Sequence, residues 1–312
     1  MNDNDFPVDH WLRWLTSGRD ADDAELRRRT TELLTPLRDE ILTAAAPRPT
    51  DTVLDVGTGD GLLGVGALRA LGPEGTVLFN DLSEPVIENM RSLIEDMRPT
   101  ARTRFHTGSV TELAGLDTDS LDVVLARSVL IYVDDIPAAF GAMNRVLRPS
   151  GKVVLWEPVR QLLSTNDAGD ESFETLFGWH LPEHEHHARR VLQQYDTGSL
   201  RDLNVATLVA AAEQAGLHDI EVTATARSRT ATPGDDTTVH GVLHAQPNPH
   251  SPTIADATHD ALPRPEADAF LTALETAIRT GNGHNRHTGA LLTASKTVHR
   301  GHQQGRTADA TR

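Results

Sequence analysis

The residues that could do chemistry begin at Asp55 and end at Asp81. Gly57, Gly59 and Gly61 follow the apolar stretch 52–56, and glycines at the mouth of a strand let backbone N–H groups approach a ligand with no Cβ in the way. Leu62 occupies the sixth place of the pattern, so the last glycine of the dinucleotide fingerprint G-x-G-x-x-G is absent. Asp55 precedes the first glycine by two residues, where it would repel a pyrophosphate and attract an ammonium group. Asp81 closes the next apolar stretch, a place from which a carboxylate accepts both hydroxyls of a ribose. The plainer reading makes the glycines a tight turn and Asp81 a cap for a helix starting near Glu84. Two acids in register with the glycines favour a nucleoside ligand that carries an ammonium group and no phosphate.

The elements that must position these residues can be read from periodicity. Strands are expected at 52–56, 76–80, 104–107, 121–126 and 152–156, and helices at 62–71, 84–97 and 136–147 between them. This alternation predicts a parallel α/β sheet with helices on both faces. Trp11, Leu12, Trp14 and Leu15 at helical spacing, then Leu26 to Leu42, predict two N-terminal helices that either pack on the body or form a lid over a ligand. Beyond Pro158 regularity lapses until a helix at 205–215 and a strand at 220–224; residues 227–265 show little periodicity, 267–278 is helical and 290–295 can form a last strand.

Composition excludes several classes. The 312 residues contain no cysteine, which removes thiolate metal sites and cysteine nucleophiles. With 29 Lys plus Arg against 45 Asp plus Glu, the formal charge is -16, which disfavours a nucleic-acid partner. No apolar run approaches the ~20 residues that span a bilayer, and the acidic start lacks a secretory pattern. The chain is expected to be cytoplasmic, with no membrane partner. In His184-Glu185-His186-His187 only His184 and His187 have ligand spacing on a helix, so these read as solvated histidines and no metal is expected.

On these residues the chain resembles the class I S-adenosylmethionine (SAM) dependent methyltransferases. Val53-Leu54-Asp55-Val56-Gly57-Thr58-Gly59-Asp60-Gly61 is similar to the family's first motif, and Leu121-Asp122-Val123-Val124 and Arg145 to Lys152 are similar to its fourth strand and the turn into its fifth. A narrower resemblance, through Arg127 to Val133, Glu157-Pro158 and 282–296, is to an actinobacterial group with N-terminal helices and a C-terminal helical insertion. The resemblance implies a Rossmann-like seven-stranded sheet with helical cap elements, and SAM as cofactor. It places Asp55, Gly57, Thr58 and Gly59 against the cofactor, Asp81 with Leu82 at the ribose, and Ser109 and Val110 at the adenine. Many members carry an acid where this chain has Ser109, which leaves the adenine amino group to a weaker donor–acceptor pair, a backbone group or water.

The acceptor should face the carboxyl ends of the fourth and fifth strands. Arg127 suits binding, because a guanidinium does not act as a base. Tyr132, Glu157 and His180 are the candidate bases, each with a purely structural alternative. The expected organisation is an N-terminal helical lid at 1–49, a core at 50–226 with a cap segment at 158–200, a helical insertion at 227–287, a last core strand at 288–299 and a disordered tail at 300–312. The expected function is methyl transfer to O, N or C of a small molecule, with a secondary metabolite suggested by the large irregular cap and a homodimer conceivable through the last helices. The alternatives are a peptide or protein acceptor, a SAM-binding protein that transfers no methyl group, serving as a partner subunit or steering a rearrangement, and, more weakly, a nicotinamide-dependent oxidoreductase.

Overall fold

The computed structural model describes residues 9–159, 173–195 and 203–297. Apolar residues that alternate along the strands fix two faces of one sheet. In β1 (Thr52–Val56) Val53 points to one side, and Leu54 and Val56 to the other, as a two-residue period requires. β2 (Thr76–Asp81), β3 (Arg102–Thr107), β4 (Leu121–Arg127) and β5 (Leu147–Glu157) extend the sheet in parallel. β6 (Leu217–Thr230) and β7 (His284–Lys296) complete it, and β7 runs antiparallel to both β5 and β6. The order is β3-β2-β1-β4-β5-β7-β6, seven strands in all.

The helices are started by side-chain caps. Asp23 accepts from the N–H groups of Glu25 and Leu26 to open α2 (Ala24–Ala45), which follows α1 (Asp9–Arg13) and a π-helical turn, Trp14–Gly18. α2 packs with α3 (Leu62–Ala67) and α4 (Glu84–Met97) through Ile41, Leu63 and Met90 against Val53, Val77 and Phe79. On the opposite face α5 (Ile136–Val146) sets Phe140 and Met143 against Leu54, Val124 and Leu155. α6 (Phe173–Phe177) and α7 (Glu185–Leu192) precede α8 (Val205–Gln214), which joins α5 on that face through Leu208 and Ala212.

A third core lies apart from the sheet. The segment between β6 and β7 is 231–283 rather than 227–287, because both strands run beyond the lengths read from their apolar residues. It holds α9 (Asp236–His244), α10 (Ile254–Ala261) and α11 (Arg264–Thr280). Val239, Leu243, Ile254, Phe270 and Ile278 of these helices pack with Phe173, Trp179 and Val191 of the segment after β5. Two stretches distant in sequence thus make one cap. The strand bridge Trp179–Gly283 stitches them together.

The expected helix at 62–71 ends as α3 at Ala67 and continues as turns. α9 and α10 form where little periodicity is visible, because each is only eight or nine residues long and is set by its cap: Asp235 accepts from Thr238 N–H, and Thr253 from Asp256 N–H. The expected tail at 300–312 and much of the 158–200 segment lie outside the described residues. Among the described residues no helix is long and apolar enough to cross a membrane.

The packing gives a direct contrast. Phe140→Ala removes a fully buried ring and should cost about 3–5 kcal/mol, whereas Leu33→Ala removes a side chain that is 54% exposed and should change stability by less than about 0.5 kcal/mol. Urea unfolding of both variants measures this. Equal losses would contradict the assignment of the core.

Candidate functional site

The turn after β1 reverses the chain through Gly57, Gly59 and Gly61, with φ of 60, 53 and 81°. Gly57 is held to glycine a second way, since a Cβ there would lie 2.5 Å from Val129 Cγ2. Asp55 organises the turn from beneath. Its Oδ2 accepts from Thr58 Oγ1 at 2.7 Å and from Gly64 N–H at 2.8 Å. Asp55 is therefore buried, with Oδ2 turned onto the chain's own donors. Burial pushes its pKa up to about 7, against the hydrogen bonds from Thr58 and Gly64.

β2 ties the other loops to this turn. Asn80 is buried; its carbonyl accepts from Thr58 N–H at 2.8 Å and its side-chain amide donates to the Gly108 carbonyl at 3.0 Å. Asp81 Oδ2 accepts from Gly59 N–H at 3.1 Å, Oδ1 accepts from Ser83 N–H at 3.0 Å, and the Asp81 carbonyl accepts from Gly108 N–H at 2.9 Å. Ser83, not Asp81, caps α4. The Asp81 carboxylate keeps acceptor capacity beyond these backbone bonds. Leu82 is exposed beside it. Ser109 Oγ lies 2.8 Å from Thr111 Oγ1 and accepts from Thr111 N–H, starting a turn that buries Val110. Asn80 escaped the sequence reading. The signal was there, in a polar residue inside an apolar strand that needs partners.

The loop after β4 is built in the same way. Ser128 has φ 53°, a conformation that costs a non-glycine residue energy and needs support from its surroundings. Glu157, fully buried at the end of β5, supplies that support: Oε1 accepts from Val129 N–H at 2.9 Å and Leu130 N–H at 3.0 Å, and Oε2 from Ile131 N–H at 3.3 Å. Its carboxyl is enclosed under the loop it fixes, which removes it from the candidate bases. Burial raises its pKa to about 7 against those three N–H groups and the charge of Arg127. Tyr132 ends the loop. Burial and then the Glu157 charge raise its phenol well above the usual range.

The N-terminal segment lies across these loops. Trp11 meets Tyr132 edge-on at 5.0 Å and His250 at 5.3 Å. Leu15 Cδ2 would be 3.5 Å from a Cβ on Gly59. Arg19 Nη1 donates to Asp60 Oδ2 at 2.9 Å, inside the glycine turn. Trp14 Nε1 donates to the Gln246 carbonyl at 3.0 Å, and His10 Nε2 bonds the Pro249 carbonyl. Arg127, whose pKa burial lowers, feels the charges of Asp60 and Arg19 before that of Glu157. His180 is elsewhere, half-exposed in the cap with Nδ1 2.8 Å from Glu174 Oε2 and its backbone bonded to Asn282. Among the described residues no group of three or more His, Cys, Asp or Glu could hold a metal; His184 and His187 face each other at 3.4 Å in the cap.

The two buried carboxyls give the fold a pH dependence with a definite sign. Their pKa values of about 7 in the fold exceed the ~4 of an unfolded chain, so the folded state holds more protons between those values. Stability therefore falls as pH rises through that window. Replacing Glu157 by Gln removes its share. The stability of Glu157→Gln relative to the natural protein should rise between pH 5 and 8, by at most ~1.4 kcal/mol per pH unit, in urea unfolding at each pH. A difference that does not vary with pH would contradict the raised pKa.

Comparison with known proteins agrees with this geometry. Residues 53–151 match a family model described as a methyltransferase domain. The chain is 33% identical over 132 residues to nocamycin O-methyltransferase of Saccharothrix syringae, and 31% identical over 133 residues to the ubiquinone biosynthesis O-methyltransferase of Xanthomonas oryzae pv. oryzae. These alignments take in 41% and 43% of this chain and span 45% and 54% of the relatives' lengths. Among solved structures, a candidate methyltransferase from Bacillus halodurans C-125 superposes with a TM-score of 0.52 at 15% identity, over 84% of this chain and 99% of that one. Its likeness speaks to the fold alone. The strand order and the glycine turn agree with the match of 53–151 to a methyltransferase domain.

Proposed function

We propose that the protein is a SAM-dependent methyltransferase of a small molecule, a secondary metabolite in the reading we favour, covered by the N-terminal segment and the cap. The observation that carries this reading is the pairing of Asp81 with the glycine turn: its Oδ2 accepts from Gly59 N–H, and both its oxygens retain capacity for a ribose diol at the carboxyl edge of β2. The residues present fit such a ligand. The turn cannot accept a Cβ at Gly57, and Arg19 at the turn is already shared between Asp60 and Asp20. SAM, when bound, supplies an electrophilic methyl group on a sulfonium centre.

The chain's own contribution would be placement, since in-line approach at about 3–3.5 Å accounts for much of the rate of a displacement. Gly57, Thr58 and Gly59 would line the methionyl half, Asp81 would hold the ribose, and Leu82, Ser109 and Val110 would flank the base. Asp55 and Glu157 would act as positioning residues, each holding a loop through backbone N–H groups. Arg127 and Tyr132 would face the reacting end, Tyr132 as a hydrogen-bond donor. Trp11 and Leu15 would exclude water from above.

Incubation with methyl-labelled SAM and a panel of small hydroxylated and amine acceptors should give label transfer to at least one of them, and none to a folded protein or peptide mixture. Tight SAM binding with no transfer to any acceptor would overturn the enzymatic reading. Asp81→Ala should weaken SAM binding by about 1.5–3 kcal/mol, the worth of hydrogen bonds to a charged group. An unchanged dissociation constant would contradict the ribose assignment.

A further inference from the structure

Arg127 closes β4, and the acids around it are committed to other partners. Val123 and Leu125 precede it at a two-residue spacing and pack in the core with α2 and α3, so Arg127 belongs to the face of the sheet that those helices cover. It is partly buried, and burial holds its pKa below the usual range. The one side-chain hydrogen bond it makes among the described residues runs from Nη1 to Ser128 Oγ at 3.3 Å, and it forms no ion pair among them. Other partly buried guanidiniums are satisfied: Arg19 meets Asp60 and Asp20, and Arg145 donates to the carbonyls of Leu116, Glu112 and Leu113.

Asp55 is taken by Thr58 and Gly64, Glu157 by the N–H groups of 129–131, and Asp60 by Arg19. Of the charges that act on Arg127, Asp60 of the glycine turn attracts it most, and it does so across space without pairing. A guanidinium drawn out of water with no counter-charge is costly, and its fork of donors matches a carboxylate. Those donors are also reachable. Among the described residues the enclosed polar side-chain atoms without a partner are Arg19 Nε, Asn144 Oδ1, Tyr195 Oη and His284 Nδ1. No nitrogen of Arg127 is one of them, so its unused N–H groups stay open to a ligand.

We propose that Arg127 is a specificity residue for the cofactor: it takes the carboxylate of the methionyl end of SAM, and so separates SAM from sulfonium nucleosides that lack that group. This rests on the SAM-dependent reading of the glycine turn. The ligand brings one carboxylate to the turn, and Arg127 is the guanidinium there whose donors the chain has not used; Arg19, the other, is held by Asp60 and Asp20. A ligand without the carboxylate loses twice. It offers Arg127 no acceptor, and its sulfonium and ammonium charges face a guanidinium that nothing neutralises.

SAM and decarboxylated SAM, which differ by that carboxylate alone, are the paired probes, and calorimetric dissociation constants of the full chain are the readout. The natural protein should bind SAM at least about 10-fold more tightly than the decarboxylated form, as hydrogen bonds between charged groups imply. Arg127→Met should weaken SAM about 10-fold or more and leave decarboxylated SAM unchanged or tighter, which closes most of the gap. Arg127→Lys, which keeps the charge and loses the fork, should fall between the two. A gap that persists in Arg127→Met would overturn the proposal, and so would an equal loss for both ligands, which a merely structural role produces. If the natural protein binds SAM with no preference over the decarboxylated form, the proposal falls and the SAM-dependent reading stands. If it binds neither, the SAM-dependent reading falls and takes the proposal with it.

Discussion

Everything around the site depends on a buried carboxylate bonded to the chain's own donors. Asp55, buried at the end of β1, collects Thr58 Oγ1 and Gly64 N–H on one oxygen and so joins the two ends of a turn that contains three positive-φ glycines. These bonds add to those of Thr58 N–H to Asn80 and Gly59 N–H to Asp81 in fixing a turn to which glycine alone brings freedom and no preference. Keeping a carboxyl in so dry a place raises its pKa to about 7, and the fold sustains that cost in exchange for a fixed loop.

The same device recurs at the neighbouring loop. Glu157 gathers three backbone N–H groups of 129–131 and stabilises the left-handed Ser128. Asp81 accepts from Gly59 and Ser83 N–H on separate oxygens. Acids at the carboxyl ends of β1, β2 and β5 thus all hold backbone N–H groups, and Asp81 of β2 keeps lone pairs that can meet a ligand. Asn80 links the glycine turn to the loop after β3 through Thr58 and Gly108, so a change at one is felt at the other.

Much of this was legible in the sequence, and the exceptions have physical causes. Strands β1, β2, β4 and β5 carry strong apolar patterns, and the glycines and Asp81 mark the cofactor side without help from tertiary structure. The same sequence cannot tell an acid that faces a ligand from one that faces backbone amides, which is why Asp55 and Glu157 change role once their partners are seen. α9 and α10 are short and Thr- and His-rich, and they gain stability from packing on Trp179 and Phe173, residues some sixty to eighty positions earlier in the chain. No local pattern reports that contact. Arg19, likewise, is one charge among many on an acidic chain until its Nε is found buried beside the turn.

The central claim is that the glycine turn and Asp81 hold the nucleoside half of SAM beneath the N-terminal segment. A crystal structure of the full chain with S-adenosylhomocysteine tests it most directly. The account predicts ribose hydroxyls within hydrogen-bond distance of both Asp81 oxygens, the amino-acid half against Gly57–Gly59, and Asp55 still bonded to Thr58 and Gly64. A ligand seated elsewhere, or one that draws Asp55 out of the turn to meet its ammonium group, would contradict it.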